Sequence, residues 1–203
     1  MDESVFIADA KKGDVNAFNQ LVLRYQQQVF NLACRMMNDE MAAQDISQDT
    51  FISAFKNIRS FRGGSFRAWL LRIATNNCYD EMRRKKRKPA QPLTVVDDEN
   101  GEEFEDPVWL ADEKELPEEV VESRELEFAI QRCIDRLQDN FKAVLILVDV
   151  QGLEYEEASR VVNTPVGTVR SRLARARQRV QDCLQSVWEL LPDKYRLNSG
   201  RNQ

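Results

Sequence analysis

The chain of 203 residues has no histidine. That excludes any mechanism built on an imidazole base and any metal site built on imidazole ligands. Its four cysteines, Cys34, Cys78, Cys133 and Cys183, are too widely spaced for a CxxC motif. They read as buried thiols acting as small hydrophobes, and a Cys/His zinc site is excluded. Glycine and proline are scarce, at seven and six, which argues against a turn-rich all-β fold. The longest aliphatic stretch, residues 143–148, falls far short of the roughly 20 residues a membrane helix needs. The opening Met1-Asp2-Glu3-Ser4 is acidic and lacks the apolar core of a signal peptide. From these absences we expect a cytoplasmic protein with no direct membrane insertion, no cofactor, no metal and no catalytic residue.

Charge, in contrast, is abundant. Charged residues make up 31% of the chain, which suits long solvated helices. The net charge of −5 argues against a nucleic-acid partner until its distribution is read. Three zones appear. In the first, residues 4–88, Phe18, Leu21, Tyr25, Val29, Leu32 and Met36 recur at steps of three and four, one apolar stripe on a helix. A second stripe carries Ile46, Thr50, Ala54 and Ile58, widened by Phe51 and Phe55. Asp14 and Asp39 stand where N-caps are expected. Residues 61–65 break the pattern with paired glycines, and Ser65 is placed to cap a helix carrying Phe66, Trp69, Leu70, Ile73 and Ala74 inward. That helix runs into a basic stretch, residues 83–88, and should end before Pro89.

The second zone, residues 89–117, holds four prolines and a crowd of acids and reads as an acidic flexible linker. Inside it Val108, Trp109 and Leu110 form an apolar island that suggests docking. The third zone, residues 118–191, is helical again, with one stripe of Leu126, Ala129, Ile130, Cys133 and Leu137 and another of Phe141, Val144, Leu145 and Val148. A tail, residues 192–203, follows. The fold class expected is all-α, two small helical domains joined by the linker.

Residues 153–177 are the most informative. A short helix over residues 154–162 meets a turn at Asn163 and Thr164, and a second helix starts at Pro165. Thr164 is the expected cap and Pro165 suits the first helical position. Two helices joined by so short a turn form the helix-turn-helix that binds DNA. Val169, Leu173, Ala176, Val180 and Leu184 share the inward face, while Thr168, Ser171, Ala174, Arg175 and Gln178 share the outer one. Residues 165–181 contain no acid, so Arg170, Arg172, Arg175, Arg177 and Arg179 should face solvent or DNA. Small residues allow close approach to the major groove, and arginines supply bidentate contacts to guanine and phosphate.

The first zone carries a second basic surface. Between residues 61 and 88 nine basic residues, Arg83 and Arg84 among them, face only Asp80 and Glu81, with Phe61, Phe66, Trp69 and Tyr79 interleaved. Basic groups hold phosphates, aromatics stack on unpaired bases, and Asn76 and Asn77 can read a base edge. Trp69 fits a core position as well as a stacking one. A helix-turn-helix regulator with no polymerase partner, or a nucleic-acid enzyme, remains an alternative on residue patterns alone.

Four stretches together resemble the extracytoplasmic-function, or group IV, sigma factors of the sigma-70 family. They are Gly13 to Phe18 with Tyr25, Ala43 to Phe51, Phe61 to Asn76, and Tyr155 to Arg172 with Pro165-Val166-Gly167-Thr168 inside it. The resemblance implies binding to core RNA polymerase and recognition of the −10 and −35 elements of promoter DNA. Asp45, Gln48 and Asp49 would meet the β′ clamp helices, and the C-terminal domain the β flap. Phe61, Ser65, Trp69 and Asn76, with Arg83 and Arg84, would hold the melted −10 strand. Thr168, Arg170, Ser171, Arg172, Ala174 and Arg175 would face the −35 duplex. An anti-sigma partner, usually membrane-anchored, is also implied.

Overall fold

A computed structural model of the chain describes residues 2–87 and 118–186, with side chains described for 2–87 and 126–186. The linker, its Val108-Trp109-Leu110 island and the tail lie outside the described residues. Among those described, every regular element is helical: α1 (Glu3–Lys12), α2 (Val15–Met37), α3 (Glu40–Asn57), α4 (Phe66–Arg87), α5 (Glu118–Asp135), α6 (Asp139–Leu145), α7 (Tyr155–Val161) and α8 (Val166–Ser186).

The expected stripes account for the N-terminal half. Phe18, Leu21, Tyr25, Val29, Leu32 and Met36 are all buried along α2, which packs on α1, α3 and α4. Asp14 caps α2, its carboxylate accepting from the Asn16 and Ala17 amides at 2.8 and 3.2 Å. Asp39 caps α3 in the same way, accepting from Ala42 at 3.0 Å. Between them Asn38 takes the left-handed conformation that ends α2, φ 49°. After a short 3₁₀ turn over Ile58–Ser60, Gly63 and Gly64 both adopt positive φ, 99° and 87°, a reversal that side-chain-bearing residues resist. Ser65 then caps α4, accepting from the Ala68 amide at 3.1 Å.

Helix α1 was not foreseen. It is short and weakly patterned, and only Ala10 is buried. Its role is to strap the glycine-bearing loop: the Lys11 ammonium donates to the Phe61 carbonyl at 2.6 Å, and the Tyr25 hydroxyl donates to the Glu3 carboxylate. Burial, reinforced by that bond, pushes the Tyr25 phenol up to about 12.

In the C-terminal half α8 rests on α5, α6 and α7. Helix α6 runs into a π-turn over Ile146–Val150, and Gly152 ends it at φ 67°. The halves pack on one another, and their buried side chains form one connected cluster. The contact surface is polar in detail. Arg67 on α4 donates to the Gln28 side chain at 2.8 Å and to the Gln151 carbonyl. Lys142, 7% exposed, donates to the Asp135 carboxylate at 2.7 Å and to the Met36 carbonyl at 3.3 Å. Lys86 at the end of α4 pairs with Asp139 at 2.7 Å.

One sequence expectation is overturned. Cys133 and Cys183 are not free small hydrophobes but a disulfide joining α5 to α8. Their separation of 50 residues hid the pairing, because only the packing of α8 against α5 brings them together.

Candidate nucleic-acid interface

Helices α7 and α8 meet at the expected angle-making turn. Asn163 supplies the left-handed residue, φ 48°, and the Ser159 hydroxyl clamps the turn by donating to the Thr164 carbonyl at 2.6 Å. The Thr164 cap is corrected. Its hydroxyl donates to the Val162 carbonyl at 3.0 Å, and α8 opens instead from the Pro165 carbonyl, which accepts from Thr168 and Val169. The rigid proline ring starts the helix without a side-chain cap.

The faces of α8 separate as expected. Val169, Leu173 and Ala176 are buried, while Arg170, Ser171, Ala174, Arg175 and Gln178 are exposed and Thr168 is half-buried. The arginines differ in their freedom. Among the described residues nothing pairs with Arg175. The Arg170 guanidinium lies 5.4 Å from the Tyr155 ring centroid, a contact that steadies the group while the residue stays exposed. Arg172 is half-buried and donates to the Thr164 hydroxyl at 3.4 Å, so it braces the turn. Arg177 departs from the expectation of an un-neutralised cation. It forms a two-pronged pair with Asp149, at 2.6 and 2.9 Å, and this holds its pKa above the usual arginine value. The acid comes from the preceding π-turn, so a scan along α8 misses it.

On α4 the candidate residues divide. Trp69, Asn76 and Arg83 recur at sevens and share one outer face with exposed Arg72. At its start, Phe61, Phe66 and Trp69 pack together with centroids 5.4–5.5 Å apart, Phe61 edge-on to Phe66 and Trp69 tilted against both. Phe61 is only 5% exposed, so its ring floors this corner, whereas half-buried Trp69 reaches its surface. Arg83 and Arg84 pair with Asp80 and Glu81 at 3.1 and 2.6 Å, one turn back. The Arg83–Asp80 pair, exposed on both sides, is cheap to exchange for phosphate, whereas Arg84 holds a less exposed Glu81 in a two-pronged pair.

Arg84 stands apart from the other −10 candidates. It turns into a groove of about 660 Å³ between α3 and α4, where Asp45, Gln48, Asp49, Asn77 and Lys85 also line the wall. Asp45, Gln48 and Asp49 are exposed and form one face of α3 with Met41, 72% exposed, and Ile52, 44% exposed. The opposite face buries Ala43, Ile46, Thr50 and Ala54. Reading the acids alone missed Met41 and Ile52, although the four-residue step from Met41 to Asp45 places them together. Large apolar side chains left exposed beside acids suit a protein partner.

Comparison with known proteins agrees with this geometry. Sigma-70 region 2 matches residues 21–88, and Sigma-70, region 4, matches residues 127–180. The RNA polymerase sigma-H factor of Pseudomonas aeruginosa is 38% identical over 178 residues, covering 87% of this chain and 91% of that one. The chain belongs to the ECF sigma factors of the sigma-70 family. The ECF RNA polymerase sigma-E factor of Escherichia coli is 36% identical over 190 residues, 92% of this chain and 96% of that one. Two solved structures are similar in fold. CnrH in complex with the cytosolic domain of CnrY superimposes with a TM-score of 0.65 at 25% identity, over 90% of this chain and 96% of that one. The sigma factor RpoE of Bartonella quintana, in complex with the anti-sigma factor NepR, gives 0.62 at 27% identity, over 84% and 98%. As an ECF sigma factor the chain directs promoter-specific initiation of transcription. This membership removes the polymerase-independent regulator as a reading.

Proposed function

We propose that residues 1–88 bind core RNA polymerase and the −10 element, and that residues 118–191 read the −35 duplex. The exposed outer face of α8, which has no acid from Thr168 to Gln178 and meets its first one at Asp182 near the helix end, carries the second assignment. Arg170 and Arg175 would contact base edges or phosphates, Thr168, Ser171 and Ala174 would let the helix approach closely, and Arg172 would fix the turn. Asp45, Gln48 and Asp49, rimmed by Met41 and Ile52, would seat on the β′ clamp helices, and the C-terminal domain on the β flap. Trp69 and Asn76, backed by Phe61 and Ser65, would hold an unpaired base, with Arg83 and Arg84 on phosphate. Each captured base offsets unstacking by about 1–3 kcal/mol. The chain catalyses no step on the DNA, and its place of action is the cytoplasm.

The packed arrangement cannot be the promoter-bound one. Helices α4 and α7 touch, whereas the −10 and −35 elements lie about 25 base pairs apart, roughly 85 Å of duplex. The halves must part, giving up the Arg67, Lys86 and Lys142 contacts. An anti-sigma partner would act by holding them together. The test is transcription by core polymerase on a randomised promoter library. A template-specific start is expected, dependent on the −35 sequence and lost in Arg170→Ala/Arg175→Ala. Unchanged −35 choice in that double variant would overturn the α8 assignment.

A further inference from the structure

The Cys133–Cys183 bond sets its Cα atoms 5.7 Å apart and brackets α6, α7 and most of α8. Helix α8 has no buried residue after Ala176, so the bond is the firmest hold on its last turns. The two sulfurs differ. Cys133 is 2% exposed, whereas Cys183 is partly exposed, with the Arg136 guanidinium 3.7 Å from its sulfur. A neighbouring cation favours thiolate, the attacking species in disulfide exchange. The remaining cysteines have the opposite character. Burial, foremost among the causes, pushes Cys34 up to about 11 and Cys78 up to about 12, so both stay protonated and inert. The chain thus carries two unreactive thiols and one pair poised for exchange.

A protein at work beside RNA polymerase sits among reductants, where disulfides are transient and regulatory. We propose that Cys133 and Cys183 form a reversible redox clasp on the duplex-reading domain, closed by exchange with a low-molecular-weight disulfide of the glutathione class. The Cys183 thiolate attacks one sulfur of that disulfide, whose S–S bond breaks and expels one small thiolate. The Cys133 thiolate then attacks the Cys183 sulfur of the mixed disulfide and expels the second. The protein loses two electrons and two protons, and the small disulfide takes up both to become two thiols. Opening runs the steps in reverse, with the small thiol as reductant. Closed, the clasp holds α8 on α5; open, the last turns of α8 come free. Its effect on promoter use rests on the proposed −35 role of α8, but its chemistry does not.

The full-length chain is equilibrated in glutathione buffers of graded redox poise, alkylated, and its modified cysteines located by mass spectrometry. Cys133 and Cys183 are expected to appear together, reversibly, as the buffer becomes reducing. The oxidised form should melt several degrees higher, a difference absent from Cys183→Ser. Arg136→Gln should slow alkylation of reduced Cys183 about fivefold at neutral pH and little at high pH, a profile that a purely structural arginine would not give. The clasp is overturned if the pair stays oxidised across the whole glutathione range, never forms, or leaves melting unchanged. A titrating pair whose state and whose Arg170→Ala/Arg175→Ala background both leave promoter choice untouched supports the clasp and sinks the −35 assignment instead.

Discussion

Helices α4 and α8 are both long, both cationic and both proposed to touch DNA, yet they are held in opposite ways. Helix α4 buries seven residues, from Phe66 to Cys78, against α2 and α3. Helix α8 buries three and relies on a covalent bond near its end. Their charges are managed differently too. Arg83 and Arg84 of α4 have carboxylates one turn away, Lys85 has Asp39 at 2.8 Å, and Lys86 has Asp139. On α8 only Arg177 has an acid among the described residues. The difference teaches that a basic run is a weaker indication of free positive charge than a stretch of helix several turns long with no acid in it. The first can be laced with its own carboxylates, while the second must take its counter-charges from elsewhere.

The sharpest way to break this comparison is to remove the free arginines. Arg170→Ala with Arg175→Ala should weaken −35-dependent initiation by on the order of 1–3 kcal/mol for each contact, measured as open-complex affinity. The same measurement on Arg83→Gln with Arg84→Gln should move far less, because exchanging one carboxylate for one phosphate gains little. Equal losses would erase the distinction. Next comes the covalent hold. Reducing Cys133–Cys183 should lower the unfolding free energy of the C-terminal half by about 4 kcal/mol, read from denaturant midpoints, with no matching change in the N-terminal half.

Smaller effects sharpen the picture. Asp80→Asn should release Arg83 and strengthen DNA binding by less than about 1 kcal/mol, with a steeper salt dependence. Capping by the Ala42 amide, assisted by Lys85, holds the Asp39 carboxyl below the usual carboxylate range. Its contribution is therefore present above the unfolded value near pH 4 and lost as pH falls through the lower folded value. Asp39→Ala should cost at most about 1 kcal/mol at pH 7 and progressively less as pH falls below the unfolded carboxylate value, as thermal melts across that range would show.

Much of this was legible from residue order, for identifiable reasons. The α2 stripe, the Asp14 and Asp39 caps, the paired-glycine loop and the inward face of α8 are local patterns, set by helical period and backbone sterics within a few residues. Asp45, Gln48 and Asp49 were marked by the family resemblance, and the structure places them outward on α3. Helix α1 escaped because one buried alanine leaves no stripe to read. The Thr164 cap failed because Ser159 and Val162 competed for the turn's polar groups.

Periodicity and capping chemistry therefore established the helices and their faces before any folding was considered, because each acts over one or two turns, while the class of function came from the resemblance to a family carried by four stretches of sequence. Folding alone settled which charges remain free, since Asp149 reaches Arg177 across 28 residues. It also settled which thiols bond and how the two halves close on each other through Arg67, Lys86 and Lys142. Those outcomes depend on groups far apart along the chain meeting in space, and no local pattern encodes such a meeting.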